Sequence, residues 1–403
     1  MVGGSGCHGD VGSAASPAVA VGAMVRRCSP VGTEQVTLAR ASGRVLAQEV
    51  VTDRPSPSAD VSALDGFAVR VAEAARGDLP LAGEARAGRA PEELALGHAM
   101  PISTGAVVPS GADAVVRKED ASLRDGRVVL RAGAAAGQNI RRAGENGPAG
   151  ALVGAVGDLV TPALVGAMAT FGVPMVRVYR RVRVAVIVTG DEVVGDEAPP
   201  APWQLRDSNG PAVSAMAASA AWAEAVVLPR IADDPSATRR AILDAACGAD
   251  FVLLTGGVSM GDHDHVPGVL REVGAEIVFH RVAQRPGRPV LGAMLPTGVP
   301  VLGLPGNPVS VLVTARRMAR AVAARMAGVP DGECVPVVRV AGHDKSLDLW
   351  WHRLVRLTPE GGARISVGRG SGDVVAAATA DGFVEIPPGQ SGARAWAFYS
   401  WAW

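Results

Sequence analysis

Residues 182–189, VRVAVIVT, form an apolar run of strand length interrupted only by Arg183 before its closing threonine. A run of this kind suits a parallel strand covered on both faces, so helices are needed on each side of it. The residues that follow supply them. DSNGPAVSAMAASAAW offers a polar cap, a proline and an Ala-rich helix, and AVVLPRI a second strand. DDPSATRRAILDAAC predicts a second helix, with Asp234 as its cap and Pro235 in its first turn. DFVLL (250–254), EIVFHRVA and VPVLGL (299–304) are further strands, and NPVSVLVTARRMARAVAARM is a long helix capped by Asn307. Strand–helix alternation at this spacing means βαβ units and an open, doubly wound α/β sheet over residues 181–328.

The flanking regions read differently. Residues 1–15 look like a flexible tail; a helix-like segment and a strand candidate, GRVLAQEVVT, occupy 20–52. Residues 53–145 are rich in Gly, Pro and short β runs (GFAVRV, ADAVV, GRVVLRAG), as a small β-rich domain would be. TPALVGAMATFG (161–172) is a compact helix with Thr161 as cap, Pro162 at its first position and a glycine stop. Residues 329–403 return to β-like alternation and hold five of the seven tryptophans, more suited to core filling or a dimer contact than to ligand stacking. A chain of 403 residues has room for two to four domains, which this division uses.

In doubly wound sheets ligands bind beyond the carboxyl ends of the strands. Asp191 and Glu192 follow the first strand, Asp233 and Asp234 the second, and Asp262 and Asp264 the third. Arg285 and Arg288, in RPGRP, follow the fourth, and PGNP (305–308) follows a later one. Topology alone gathers these carboxylates and guanidiniums on one edge. The third loop, GGVSMGDHDHV, has a glycine pair that lets backbone N–H groups approach an anion, with a serine hydroxyl beside it. Read by itself it is equally a glycine-rich turn with solvated acids; the converging loops favour the anion cradle. His263 and His265 flank an acid without a third nitrogen or sulfur ligand nearby, so Mg²⁺ on Asp264 and Glu192 is chemically easier than zinc.

Several function classes are excluded. No P-loop and no dinucleotide fingerprint after the first strand occurs. Lys+Arg and Asp+Glu balance at 39 each, so no global pull toward nucleic acid or anionic membrane is expected, and any anion site is local. Cys7, Cys28, Cys247 and Cys334 form no CxxC pair, which suits free thiols in a reducing compartment. No basic region precedes the small-residue start and no stretch reaches membrane-spanning length, so a cytoplasmic location is expected. Acids beside arginines point to a metal ion with an anionic substrate.

SALDGFAVR (62–70), ISTGAVVPSGADAVVRKED (102–120), GQNIRRAGEN (137–146), TGDE, RDSN, GGVSMGDHDHV, RPGRP and LPGNPVS occur in one order along the chain. In that order they resemble the molybdopterin molybdenumtransferases, the MoeA and gephyrin E-domain family, from about residue 20 to 330. The resemblance implies an elongated, four-domain homodimer, with residues 16–52 and 146–180 as a discontinuous linker and dimerisation domain. It implies insertion of molybdate into adenylylated molybdopterin, with Mg²⁺-dependent release of AMP, in the company of other molybdenum cofactor biosynthesis proteins. By position, Asp65, Thr104, Glu192, Asp233 and Asp264 would form the catalytic set, with Glu192 and Asp264 at the metal. Gly256, Gly257, Ser259, Asp262, Pro305, Asn307 and Pro308 would bind substrate, and Arg285, Arg288, Arg353 and Ser371 molybdate. It further implies that each site is built from both chains of the dimer. Without the resemblance, Asp65 and Thr104 are equally turn residues.

Four departures stand out. Asn146 replaces the family's usual aspartate, Arg285 and Arg288 its usual lysines, Val61 a common asparagine, and WWHRLVRL a more polar segment. They leave room for a non-catalytic scaffold with the same fold, while a tungstate-inserting homologue is a further alternative. The intact acid set argues for the enzyme.

Overall fold

The computed structural model describes residues 15–131, 133–195, 199–259, 264–330, 332–341 and 345–403. Two compact units are present: one of residues 1–48, 156–165 and 175–403, the other of residues 49–155 and 166–174.

The first unit is built on a six-stranded sheet. Its strands are β1 (Val182–Val188), β2 (Ala223–Val227), β3 (Phe251–Thr255), β4 (Glu276–His280), β5 (Leu291–Met294) and β6 (Pro300–Leu304). They lie in the order β2-β1-β3-β6-β5-β4. The four strands from β2 to β6 are parallel, whereas β5 runs antiparallel to both β6 and β4. Two reversals leave β4 pointing the same way as β6. The sequence reading therefore has the right sheet but lacks β5, whose LGAM is too short and too small to stand out as apolar periodicity.

Alternating side chains on the strands feed two cores. Val182, Val184, Val186, Phe251, Leu253, Leu302 and Leu304 pack on one face against α1 (Pro17–Val25), α2 (Asn209–Ala218) and the helical run that follows β6. Ala185, Ile187, Val252, Leu254 and Val301 pack on the other against α3 (Pro235–Gly248) and α4 (Val266–Glu272). Asp234 caps α3 as expected, its carboxylate accepting the Ala237 N–H at 2.7 Å. The long helix expected from Asn307 is three pieces: α5 (Pro308–Thr314), a π-helical turn (Ala315–Ala319) and α6 (Arg320–Met326). Asn307 holds the cap position without a side-chain cap bond.

The C-terminal strands are β7 (Val337–Ala341), β8 (Trp350–Leu357), β9 (Gly362–Ile365), β10 (Gly382–Ile386) and β11 (Arg394–Ser400). They run β8-β9-β7-β11-β10, and β8 also pairs with β10, so the five close on themselves. Gln284–Arg285 add to β8 as a short parallel strand. The tryptophans mostly fill cores: Trp396 is buried, and Trp403 stacks on Trp222 at 6.3 Å between centroids. GRVLAQEVVT is not one strand; Val45 and Leu46 make isolated bridges and only Val50–Val51 form a strand.

The second unit carries two three-stranded antiparallel sheets. One is Met100–Ile102, Gly66–Val69, Ala114–Arg117; the other is Asp78–Pro80, Arg127–Leu130, Ala121–Arg124. Phe67 and Val69 face one apolar cluster and Ala68 the other, so the GFAV strand is buried throughout. Gly66 is required here, since a Cβ would lie 2.1 Å from the Val116 carbonyl oxygen.

Candidate active site

The chain passes from β1 to β2 on one side and returns to β3 on the other, so the loops after β1 and β3 flank the point where strand order reverses. Thr189 donates its hydroxyl to the Thr255 carbonyl at 3.2 Å, tying the two strand ends together. Gly256 follows with φ +96°, where a Cβ would meet Thr189 Oγ1 at 2.6 Å, and Gly257 with φ +65°. The glycine pair is thus demanded by backbone conformation and by close packing. Val266 N–H closes the loop by donating to Gly257 O at 3.2 Å. Half-buried Asp264 stands two residues before that closure and exposed Ser259 two residues after Gly257. Asp262 and His263 lie outside the described residues.

The loop after β1 is fixed from two sides. Asp191 and Asp233 exchange bonds, each carboxylate accepting the other's backbone N–H at 3.2–3.3 Å. The Glu192 carbonyl accepts the Leu205 N–H at 2.8 Å, while its carboxylate turns back over Gly190 and stays exposed. Asp207, from RDSN, accepts the Asn209 and Gly210 N–H groups at 2.9 and 3.0 Å, and Asn209 reaches Gly306 O at 2.9 Å. RDSN and LPGNP are therefore joined by a hydrogen bond, and TGDE is bonded to Leu205, the residue before RDSN. Among the described residues no group of three or more His, Cys, Asp or Glu side chains is arranged to hold a metal ion.

A cleft of about 820 Å³ opens between the RPGRP loop, the start of α5 and the C-terminal barrel. Arg285, Arg288, Arg353 and Ser371 all line it, with Pro305 and Asn307. Pro308 begins α5. The short Gln284–Arg285 strand pairs with Trp350–Trp351, which brings the arginines of the loop to the strand that carries Arg353. Arg353 lies over the Trp351 ring at 4.4 Å, and burial together with the neighbouring Arg285 pushes its guanidinium below its usual range. Among the described residues none of Arg285, Arg288, Arg353 and Lys345, all of which line the cleft, forms an ion pair. Like charges gathered without carboxylates make a site for an anion.

Asp65 and Thr104 meet in the second unit. Asp65 Oδ1 accepts both the Thr104 N–H and its hydroxyl at 2.8 Å. These two bonds, helped by Lys118, hold the exposed Asp65 carboxyl below its usual range. The Thr104 hydroxyl proton is thereby committed to Asp65. Asn146 accepts from Arg141 at 2.8 Å and donates to Ser56 at 3.2 Å, a local structural role for the departure.

Sequence reasoning left out Gln284, Ser310, Lys345 and His352, which also line the cleft. Gln284 adjoins RPGRP and Ser310 ends LPGNPVS, so motif context could have found both. Lys345 and His352 come from the barrel, where no local pattern marks them.

Comparison with known proteins agrees with this architecture. Residues 15–172 match the MoeA N-terminal region (domain I and II), and residues 185–325 match the probable molybdopterin binding domain. A molybdopterin molybdenumtransferase of Nostoc sp. is 37% identical over 322 residues, 78% of this chain and 74% of that protein. One of Synechococcus elongatus is 32% identical over 381 residues, 90% of this chain and 92% of the other. The solved molybdopterin biosynthesis MoeA protein from Pyrococcus horikosii superposes with a TM-score of 0.80 at 27% identity, covering 97% of this chain and all of that one. Ordered motifs, fold and relatives agree: the chain belongs to the molybdopterin molybdenumtransferase (MoeA) family.

Proposed function

We propose that this protein is a molybdopterin molybdenumtransferase in molybdenum cofactor biosynthesis, inserting molybdate into adenylylated molybdopterin and releasing AMP. The observation that carries the reading is the cleft, where four cations converge without a partner carboxylate among the described residues, at the carboxyl edge of a sheet matching a molybdopterin binding domain. A tetrahedral oxyanion fits the fixed donors of Arg285, Arg288 and Arg353, with the Ser371 hydroxyl beside them. Gly256, Gly257 and Ser259 supply a backbone and hydroxyl cradle for a phosphate of the pterin nucleotide. Asn307 and Pro305 line the cleft, and Gly306 between them packs against Gly256, so this turn is suited to orienting the substrate.

Mg²⁺ fits the donor set, because it is held by one or two carboxylates plus substrate phosphates, and Glu192 and Asp264 present carboxylates on the loops after β1 and β3. Bound there, the ion would neutralise charge on the pyrophosphate. Asp233 supports the loop of Glu192 through its exchange with Asp191. Asp65, kept ionised by Thr104, supplies a fixed acceptor. The active form is proposed to be a homodimer. The test is AMP release from adenylylated molybdopterin with and without molybdate. Molybdate-dependent release is expected; release of no AMP in either case would overturn the reading.

A further inference from the structure

The wall of the cleft holds a buried amide that the chemistry above does not use. Gln284 is 1% exposed and donates its Nε2–H to the Gly287 carbonyl at 2.9 Å, inside the turn that bears Arg285 and Arg288. Its Oε1 is also buried and has no hydrogen-bond partner among the described residues. Reversing the amide would set Oε1 against the Gly287 oxygen, lone pair facing lone pair. The bond to Gly287 therefore fixes the orientation and leaves Oε1 stranded. A methionine of similar length would fill the space without a stranded polar atom. The turn keeps a costly amide for one bond, to the Gly287 carbonyl.

That bond decides which way one peptide unit faces. Gly287 has no side chain, so it lines the cleft with backbone alone. Its φ is +86°, and a Cβ there would lie 2.5 Å from Thr314 Cγ2 and 3.1 Å from Gln284 Nε2, so only glycine fits. Glycine by itself lets the peptide that follows it turn either way. With the carbonyl drawn into the wall by Gln284, the planar trans peptide points the Arg288 N–H the opposite way, out of the wall. Arg288 lines the cleft, and its N–H donates to no acceptor among the described residues. The base of the turn is held as well. Val282 N–H donates to the Arg288 carbonyl and Trp350 N–H to the Ala283 carbonyl, both at 2.9 Å.

We propose that Gln284 is a positioning residue of the oxyanion site: it holds the Gly287 carbonyl away from the cleft and so presents the Arg288 N–H to the anion. This deepens, and rests on, the reading of the cleft as the molybdate pocket. The backbone donor adds what long arginine side chains lack, a direction with no rotamer freedom. Released from Gln284, the same peptide can present its carbonyl oxygen instead, an acceptor facing an anion.

The experiment follows the Arg288 amide proton by NMR as sodium molybdate is added to the full chain, deuterated and labelled with ¹³C at glycine carbonyls and ¹⁵N at arginine. Only the Gly–Arg peptides then give signals, those of Arg44, Arg89, Arg127, Arg288 and Arg369. Arg288→Lys removes one signal and so identifies it. Binding is expected to move the Arg288 amide proton downfield, as a hydrogen bond to an oxyanion does, and the others much less. Gln284→Met removes the Nε2–H with little change in length and none in charge. It should lose most of that shift, and its half-saturating molybdate concentration should rise about tenfold, with turnover at saturating molybdate within about threefold of the natural protein. An Arg288 amide that stays put while molybdate saturates the natural protein would overturn the inference and leave the cleft assignment intact, whether or not the variant folds. Natural molybdate affinity in a folded Gln284→Met would overturn it equally. Failure of molybdate to bind the natural protein at millimolar concentration would overturn the cleft assignment and this inference with it.

Discussion

Arg353 keeps its charge where burial and Arg285 both oppose it, which is an arrangement that costs stability until an anion arrives. Removing one of the pair should therefore separate binding from folding. Arg285→Ala is expected to leave the melting temperature unchanged or slightly raised, while the molybdate concentration for half-maximal AMP release rises about 10- to 100-fold, as loss of one or two charge-assisted bonds implies. Binding of the pterin nucleotide should change less. Unchanged molybdate saturation would place the oxyanion elsewhere. The acids at the other end of the edge predict a different signature. Glu192→Gln and Asp264→Asn keep size and remove charge on loops beyond the strand ends, so turnover should fall by at least about 100-fold with the fold intact. Turnover within a few-fold of the natural protein in either variant would remove that residue from the site.

At the level of elements, the runs with the strongest local signal were the ones read correctly. VRVAVIVT is a buried strand because both faces are covered, and α3 starts at Asp234 because its carboxylate takes an orphan N–H. Asp234→Ala should cost about 1 kcal/mol in chemical denaturation. GRVLAQEVVT misled because β-branched residues promise a strand that its neighbours do not pair. The π-helical turn had no sequence signal either. It arises where the Thr314 hydroxyl back-bonds to Ser310 O at 2.7 Å, and it carries Arg316 to Glu333 and Arg317 to Glu385. Glu385 gives this region a pH dependence of known sign. Its folded carboxyl, at about 2, lies below the value of roughly 4.3 for an unfolded glutamate. The pair therefore stabilises above about pH 4.3, and the contribution is lost as the pH falls from there through about 2. Glu385→Gln, which strands Arg317, should lower stability by about 3–5 kcal/mol at pH 7 and flatten the acid limb of the unfolding curve. An acid limb identical to that of the natural protein would contradict the coupling.

At the scale of the molecule, what was legible followed from topology: residues placed after parallel strands came to one edge, whichever side chains they were. Lys345 and His352 were hidden because they reach the cleft through barrel register, set by pairings such as Gln284 with Trp350 that no local pattern encodes. Asp65 raises the same question one level up. It belongs to one compact unit of the chain and Glu192 to the other. The proposed homodimer supplies a test that needs no geometry, since a two-fold assembly allows a site to draw its residues from both copies. Asp65→Ala and Glu192→Ala proteins should each be inactive alone. If each site takes Asp65 from one chain and Glu192 from the other, a mixed dimer holds one intact site and one doubly damaged site. Random co-folding of equal amounts makes half the dimers mixed, so roughly a quarter of all sites would be intact and about a quarter of the natural activity should return. The measurement is molybdate-dependent AMP release from co-folded mixtures in which heterodimers have been verified by differential tagging. Mixtures as inactive as their parents would place Asp65 in its own chain's site or outside the chemistry, and a monomer by light scattering would remove the dimer from the proposal altogether.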